Sequence, residues 1–156
     1  MKHEIVFLGK TKDSILEKAI AKYHARLNCY TRCNIVVVKD KVSAQPRDVL
    51  LKKQGELLLG AVSPGDFVVV LDSRGEQMTS ECLAKTISRW ERMAVKKVCY
   101  LIGGPDGLAE AVLAAGQQVL SLSQMTFTHD MTRMLLLEQL YRAYTIKNGE
   151  KYHKGG

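Results

Sequence analysis

Apolar residues alternate along the chain between short unbroken runs and longer stretches in which they recur every three or four positions. The short runs occupy residues 5–8, 35–38, 67–71, 98–102 and 119–122. Runs of this length that are rich in valine, isoleucine and leucine are typical of strands buried on both faces of a parallel sheet. The pattern therefore predicts a mostly parallel sheet of about five or six strands.

Helical spacing fills the segments between these runs. It extends over residues 15–27, 49–59, 80–93, a short stretch after residue 108, and about 130–147. Ser80 is the predicted N-cap of the third of these helices. Because strands and helices alternate and no linker or repeat interrupts them, we expect one α/β domain over residues 1–156, with helices flanking the sheet.

The last predicted helix carries apolar residues around much of its circumference, as the three leucines at 135–137 illustrate. Such a helix needs two partners. It either packs between layers of its own core or is shared with a second subunit. We favour the shared helix, which predicts a homodimer.

The chain has a formal net charge of +7. Residues 1–53 contain twelve basic and five acidic side chains, whereas the remainder contains eleven of each. A basic N-terminal third favours a polyanionic partner such as nucleic acid, because Lys and Arg replace the counterions on phosphates. A solubilising surface is the alternative explanation.

Cysteine spacing and hydropathy predict the state of the thiols and the cellular compartment. No two of the four cysteines have the spacing of a zinc or thioredoxin-like site, so we expect reduced thiols in the core and no metal. The first ten residues lack the pattern of a secretory signal, and no apolar run approaches the roughly 20 residues that cross a bilayer. We expect a soluble cytoplasmic protein without a membrane partner.

Ligands of parallel sheets bind outside the carboxyl ends of the strands, so the candidate loops follow residues 71, 102 and 122. The second loop, residues 103–107, is rich in glycine, which allows the backbone to approach a ligand; a plain tight turn is the alternative. Its spacing matches neither the dinucleotide fingerprint nor the P-loop, which argues against hydride transfer and nucleotide hydrolysis. Residues 120–127 mix apolar side chains with Ser and Thr, which suits an adenine-sized ligand.

The C-terminal residues Tyr152, His153 and Lys154 combine an aromatic ring, an imidazole and a cation. Together they suit base stacking, proton transfer and phosphate binding. A frayed terminus is the alternative explanation.

Several of these motifs together resemble the RlmH family of SPOUT methyltransferases. The resemblance is carried by residues 71–75, 101–108, 120–129, 137–144 and 149–154, and it covers essentially the whole chain. It implies a C-terminal trefoil knot and a homodimer. It also implies methyl transfer from S-adenosylmethionine to N3 of a pseudouridine in helix 69 of 23S ribosomal RNA, with the assembled ribosome as substrate.

Position by position, the resemblance places the cofactor contacts in the three candidate loops. They fall on Leu71, Gly103, Leu122, Ser123, Gln124, Met125, Thr126 and Phe127. Two departures from the family pattern are Thr128 and Lys151, which stand where similar sequences have proline. The first removes a fixed φ near the implied knot, and the second adds a charge to the tail.

For catalysis, His153 is the first candidate as proton acceptor or substrate-orienting group, because the ordinary pKa of histidine is near neutrality. Tyr152 would stack on or hold the base. Arg133 completes the candidate catalytic set, and its guanidinium suits phosphate contact better than proton transfer, as does that of Arg142. Glu138 is expected to pair with Arg142 at i,i+4.

Candidate RNA contacts lie outside the reaction centre. They are Lys10, Lys22, Arg26, Arg142 and Lys154. In a dimer with crossing tails, His153 of one chain would complete the cofactor site of the other. The remaining alternatives are a SPOUT enzyme acting on another RNA such as transfer RNA, and a non-catalytic basic protein that binds the ribosome.

Overall fold

The computed structural model describes residues 1–40 and 45–152, and strands alternate with helices throughout them. The elements in chain order are β1 (Lys2–Leu8), α1 (Ser14–Leu27), β2 (Cys33–Val38), α2 (Arg47–Gly60), β3 (Phe67–Gln77), α3 (Ser80–Arg92), β4 (Lys97–Ile102), α4 (Glu110–Ala115), β5 (Gln118–Ser121) and α5 (His129–Lys147). Each strand and helix predicted from the sequence has a counterpart in the structure. The largest difference is β3, which continues six residues beyond its predicted end at Leu71.

The five strands form one sheet in the order β2-β1-β4-β3-β5, and every neighbouring pair is parallel. Parallel neighbours require crossover connections, and the helices supply them. This confirms a single α/β domain with a five-stranded parallel sheet flanked by helices. The trefoil knot stays a prediction.

Successive side chains of the strands point to opposite faces of the sheet, so each strand contributes to two cores. The first core lies beneath α1, α3 and α5, and the second lies beneath α2 and α4. In β1, for example, Ile5 and Phe7 enter the first core, whereas Val6 and Leu8 enter the second. Burial on both faces explains why the strands are unbroken apolar runs.

The last helix, α5, packs against both α1 and α3 across one face of the sheet. Leu136, Leu137 and Leu140 are fully buried there. Within one chain the helix therefore has the two partners that its apolar circumference requires, as in the core-helix interpretation. Its contact with a second subunit stays a prediction.

Helix α3 begins one residue away from the predicted cap. The side chain of Thr79 accepts a hydrogen bond from the backbone N–H of Cys82, so Thr79 is the N-cap and the prediction of Ser80 is wrong. Ser80 is the first helical residue, and its hydroxyl donates to Oε1 of Gln139 at 2.7 Å. Both residues are good caps, and this contact with α5 distinguishes their roles.

The four cysteines are all free. Cys33 and Cys99 are buried, which confirms the expected core position for these two thiols, and burial raises the pKa of each to about 12. The expectation is wrong for Cys29 and Cys82, which are exposed. Among the helices of the described ranges, none combines the length and apolar character needed to cross a membrane.

A buried histidine joins the sheet to the C-terminal half of α5. His3 of β1 is 1% exposed, with Nδ1 3.1 Å from the hydroxyl of Tyr100 and Nε2 2.8 Å from that of Tyr144. Burial, reinforced by the positive N-terminus and Lys147, lowers the pKa of His3 from 6.5 to about 3. The imidazole is therefore neutral in the folded protein at neutral pH.

We predict that His3 makes the folded state sensitive to mild acid. Between pH 6.5 and about 3 the unfolded chain binds a proton at His3 that the folded chain excludes, so the free energy of unfolding falls as the pH is lowered. The contribution to the slope is up to about 1.4 kcal/mol per pH unit. Urea unfolding of His3→Gln and the parent chain between pH 4.5 and 7 should show a shallower slope in the variant. Equal slopes would contradict the assignment.

Candidate active site

A cleft of about 680 Å³ opens at the carboxyl ends of β3, β4 and β5. Three loops and the first turn of α5 line it: residues 71–73 of β3, the turn at 102–108, and the segment from Leu120 to Phe127. In a parallel sheet all strands end at the same edge, so loops that are distant in sequence meet there.

The first loop is an excursion within β3. Leu71 and Glu76 both lie opposite Leu120 of β5, so the residues between them leave the ladder. Gly75 closes the excursion tightly, because a Cβ there would lie 2.5 Å from the carbonyl oxygen of Val119. The excursion places Asp72 in the wall of the cleft.

Asp72 is held as an anion. The guanidinium of Arg74 donates to both of its carboxylate oxygens, at 2.8 and 3.0 Å, and these bonds hold the pKa of Asp72 below its ordinary value. The wall of the cleft therefore contains a carboxylate that stays ionised in an ion pair with Arg74.

The second loop is a tight turn that lines the cleft with backbone. The N–H of Gly107, whose φ is +94°, donates to the carbonyl of Gly104 at 3.2 Å. A Cβ at Gly103 would lie 2.7 Å from Cδ2 of Leu108, so only glycine fits without a shift. The structure therefore confirms a tight turn here, and the contact of its backbone with a ligand stays a prediction.

The third loop presents apolar side chains to solvent. Met125 is 75% exposed and Phe127 is 41% exposed, although both line the cleft. Internal hydrogen bonds shape the backbone around them: Ser121 donates to the carbonyl of Ser123, and the hydroxyl of Ser123 accepts from the N–H of Met125. A bound ligand would cover the exposed apolar area.

Thr128 ends this loop and caps α5. Its hydroxyl accepts from the N–H of Met131 at 3.3 Å, and its φ of −60° is one that proline also adopts. The departure from the family pattern therefore keeps the backbone conformation and supplies a capping oxygen.

The first turn of α5 is fixed from behind by a buried carboxylate. Asp130 is 5% exposed, and its Oδ2 accepts hydrogen bonds from the backbone N–H groups of Lys12 and Asp13, at 2.9 and 3.1 Å. Burial alone would raise the pKa of Asp130, but these two donors and the neighbouring charges lower it. Asp130 therefore ties α5 to the loop that follows β1.

Arg133, one turn later, is fully buried and reinforces the same connection. Its guanidinium donates to the carbonyl of Leu8 at 2.8 Å, to the hydroxyl of Thr11 at 3.0 Å and to Oδ1 of Asp130 at 3.2 Å. We call Asp130, Arg133 and residues 8–13 the buried clamp. The prediction that Arg133 contacts phosphate is wrong for this chain, because its donors are turned inward.

The structure brings together seven of the eight residues predicted to contact the cofactor. Leu71, Gly103, Leu122, Ser123, Met125, Thr126 and Phe127 all line the cleft. Gln124 is exposed and is not part of the lining.

A sequence-family model described as "Predicted SPOUT methyltransferase" matches residues 1–153. The chain belongs to the SPOUT methyltransferase family. A protein of Desulfotalea psychrophila named ribosomal RNA large subunit methyltransferase H is 51% identical over 156 residues, which cover 99% of this chain and 100% of that protein. Proteins of the same name from Halothermothrix orenii and Bacillus pumilus are 42% and 38% identical, again over 99% of this chain and their full lengths.

The fold is also shared with a solved structure, that of a probable methylase family protein from Haemophilus influenzae. The two superpose with a TM-score of 0.56 over 96% of this chain and 67% of the other, at 14% sequence identity. At that identity the likeness concerns the fold alone.

In this SPOUT methyltransferase two of the C-terminal candidates, Arg142 and Tyr152, lie together outside the lining of the cleft. The hydroxyl of Tyr152 donates to Oε1 of Glu138 at 3.1 Å, and the guanidinium of Arg142 lies 4.9 Å from the centre of the Tyr152 ring. Arg142 also pairs with Glu138 at 2.5 Å, which confirms the i,i+4 pair. Thr132 in the cleft and Arg142 are ten helical residues apart, a rise of about 15 Å.

The hydroxyl of Tyr152 is poorly suited to accept a proton in this position. Burial and its hydrogen bonds to Tyr23 and Glu138 raise the pKa of Tyr152 above its ordinary value. The other tail candidates, His153 and Lys154, lie outside the described residues.

The basic candidates near the N-terminus are exposed, as RNA contacts require. Lys10 follows β1, and Lys22 and Arg26 lie on α1. The guanidinium of Arg26 is 5.8 Å from the ring centres of both Tyr23 and Tyr141, and Lys22 is 6.0 Å from that of Tyr23. Cations and aromatic rings therefore alternate on the surface where α1 meets α5.

Sequence reasoning did not assign Asp72, His129 or Thr132, although all three line the cleft. Asp72 had a usable signal, since it directly follows a buried strand at the ligand edge. His129 and Thr132 follow the third loop at the start of a helix, and the approach of this turn to the cleft depends on the buried clamp.

We predict that Gly75 is required for the β3 excursion. Alanine there would place its Cβ against backbone atoms of β5, so Gly75→Ala should lower the free energy of unfolding by about 1 to 3 kcal/mol. Gly60 is the matched control: it ends α2, and no atom lies within 4 Å of the position that an added methyl group would take. Gly60→Ala should therefore be neutral or stabilise by up to about 1 kcal/mol. Urea unfolding measures both. Wild-type stability in Gly75→Ala would contradict the account.

Proposed function

We propose that this protein transfers a methyl group from S-adenosylmethionine to ribosomal RNA. The observation that supports it most strongly is the three-loop cleft of a SPOUT-family chain, whose lining includes seven of the eight expected cofactor positions. The relatives named ribosomal RNA large subunit methyltransferase H match over their full lengths, which supports ribosomal RNA as the substrate.

The residues of the cleft fit this methyl donor. Leu122, Met125 and Phe127 offer apolar surface to an adenine ring, and the tight turn at Gly103 brings backbone polar groups close. The carboxylate of Asp72 offsets the positive charge of a sulfonium. When bound, the donor supplies an electrophilic methyl group, and the chain's task is to align the acceptor nitrogen with it.

We further propose N3 of a pseudouridine in helix 69 of 23S ribosomal RNA as the acceptor, on the assembled ribosome, and a trefoil knot in the C-terminal half of the chain. The family resemblance supports these finer statements. The exposed cations Lys10, Lys22 and Arg26 are suited to bind RNA phosphates outside the cleft. The rings of Tyr23 and Tyr141 beside Arg26 allow bases to stack.

We propose that the functional unit is a homodimer with shared sites. Arg142 lies about 15 Å along α5 from the cleft of its own chain, and Tyr152 lies beside Arg142, so neither side chain reaches that cleft. In the dimer, the tail of one chain reaches the cleft of the other. Tyr152 and His153 then hold and orient the substrate base, and Lys154 and Arg142 contact phosphate.

We predict that a positive charge in the cleft weakens binding of the methyl donor. Met125→Arg replaces apolar surface that we expect to cover the adenine ring with a cation, which also repels the positively charged donor, and because Met125 is 75% exposed the fold should persist. Calorimetric titration with S-adenosylmethionine should show at least about a 10-fold loss of affinity, or about 1.4 kcal/mol. Met93→Arg is the matched control, since Met93 is 63% exposed at the end of α3, and it should bind as the parent does. No binding by the parent chain would contradict the enzymatic proposal and favour a non-catalytic protein.

We predict that loss of the gene removes one methyl group from 23S ribosomal RNA. Mass spectrometry of ribosomal RNA from a deletion strain should show an unmethylated pseudouridine in helix 69, restored by the parent gene but not by Met125→Arg. An unchanged ribosomal RNA with an altered transfer RNA would replace the proposed substrate with transfer RNA.

We predict that two differently disabled chains complement each other. A His153→Ala chain keeps its cleft and a Met125→Arg chain keeps its tail, so a heterodimer with shared sites contains one complete site. Methylation by verified heterodimers should approach half the parent rate per dimer and exceed that of either variant homodimer. Activity no higher than that of the homodimers would exclude the shared site.

A further inference from the structure

The lining of the cleft, within the described residues, contains two titratable side chains, Asp72 and His129. Asp72 is paired with Arg74, which lowers its pKa and keeps it ionised, so it is a weak proton acceptor. His129 is the first residue of α5 and is partly buried in the lining. Of the two, only the imidazole has an ordinary pKa close to neutrality.

The ring of His129 lies against an immobilised carboxylate. Its Nε2 is 3.3 Å from Oδ1 of Asp130. Asp130 is itself fixed, because the N–H groups of Lys12 and Asp13 donate to its other oxygen and Arg133 donates to Oδ1. A base whose ring is oriented by a held carboxylate is a recurring arrangement in proton transfer. With Asp130 at the Nε2 edge, Nδ1 is the nitrogen that accepts a proton.

Burial and two neighbouring cations keep the imidazole of His129 neutral. Burial lowers its pKa, Asp130 on the same helix raises it, and Arg133 on that helix and Lys12 on the loop after β1 lower it. The net direction is downward, so at neutral pH the imidazole is in the form that can accept a proton.

We propose that His129, oriented by Asp130, accepts the proton of the acceptor nitrogen during methyl transfer. This inference rests on the proposed function. The N–H bond of the substrate base breaks and its proton passes to Nδ1 of His129. The nitrogen's electron pair forms the new bond to the methyl carbon as the carbon–sulfur bond breaks, and that bonding pair remains on sulfur. The imidazolium then releases its proton to water.

This assignment separates the roles of two histidines. His129 belongs to the wall of its own cleft and takes the proton, whereas His153, from the tail of the second chain, orients the base. The buried clamp then has a chemical role as well as a structural one, because it aligns the carboxylate that faces His129.

Single-turnover methylation compares the two histidines directly. His129→Gln should lower the rate constant by about 10²- to 10⁴-fold at saturating RNA, the usual contribution of a positioned base. Its affinity for S-adenosylhomocysteine, measured by calorimetry, should fall by far less than its rate constant. His153→Gln should act mainly on the RNA concentration at half-saturation. A parent-like rate constant in His129→Gln, beside an active parent, overturns this inference alone; an inactive parent overturns the proposed function with it.

The imidazole titration supplies a readout that does not depend on activity. Lys12 is exposed and contributes only its backbone N–H to the clamp, so Lys12→Glu should leave the fold intact and raise the pKa of His129 in an NMR titration. Lys85→Glu, the same charge change on the exposed side of α3, is the matched control and should not move it. The acid limb of the single-turnover rate should shift upward with the NMR pKa. A shifted pKa with an unmoved acid limb overturns the assignment.

Discussion

The buried carboxylate of Asp130 joins two parts of the chain that are more than a hundred residues apart. It accepts hydrogen bonds from the backbone after β1, and with Arg133 it fixes the start of α5 against the carboxyl edge of the sheet. Removing one partner of such a buried pair leaves an uncompensated charge and typically costs about 3 to 5 kcal/mol. The wall of the cleft formed by His129 and Thr132 depends on this contact.

The fixed position of α5 also separates the cleft from the cluster around Arg142. The cleft lies at the first turn of α5, whereas Arg142 lies about 15 Å further along the same helix, where it contacts Glu138 and Tyr152. A rigid helix packed between α1 and α3 cannot bring its two ends together. The homodimer proposed above would unite them by supplying the second end from another copy of the chain.

Much of the fold follows from the sequence because burial on both sheet faces leaves an unmistakable pattern. Residues 98–102 are apolar without interruption, and the structure buries all of them. The rule that parallel strands end at one edge then predicts which loops meet, and the cleft confirms it for Leu71, Gly103 and Leu122.

The remaining features depend on contacts that no local pattern encodes. The β3 excursion exists because Glu76 pairs with Leu120, a residue of a strand formed later in the chain. Arg133 resembles a surface residue of a helix, yet it is buried, and the hydroxyl of Thr11 and the carbonyl of Leu8 accept hydrogen bonds from its two terminal guanidinium nitrogens. The position of His129 in the cleft likewise has no local signal, since it is set by Asp130 and by the loop after β1 to which Asp130 is hydrogen-bonded.

The central claim is that the edge of the sheet organised by Asp130 is a methyl-donor site. Backbone NMR spectra recorded during titration with S-adenosylhomocysteine test it most directly. The account predicts that saturable shift changes concentrate in residues 71–75, 102–108 and 120–132. Saturable changes confined to other surfaces, or none at millimolar ligand, would contradict it.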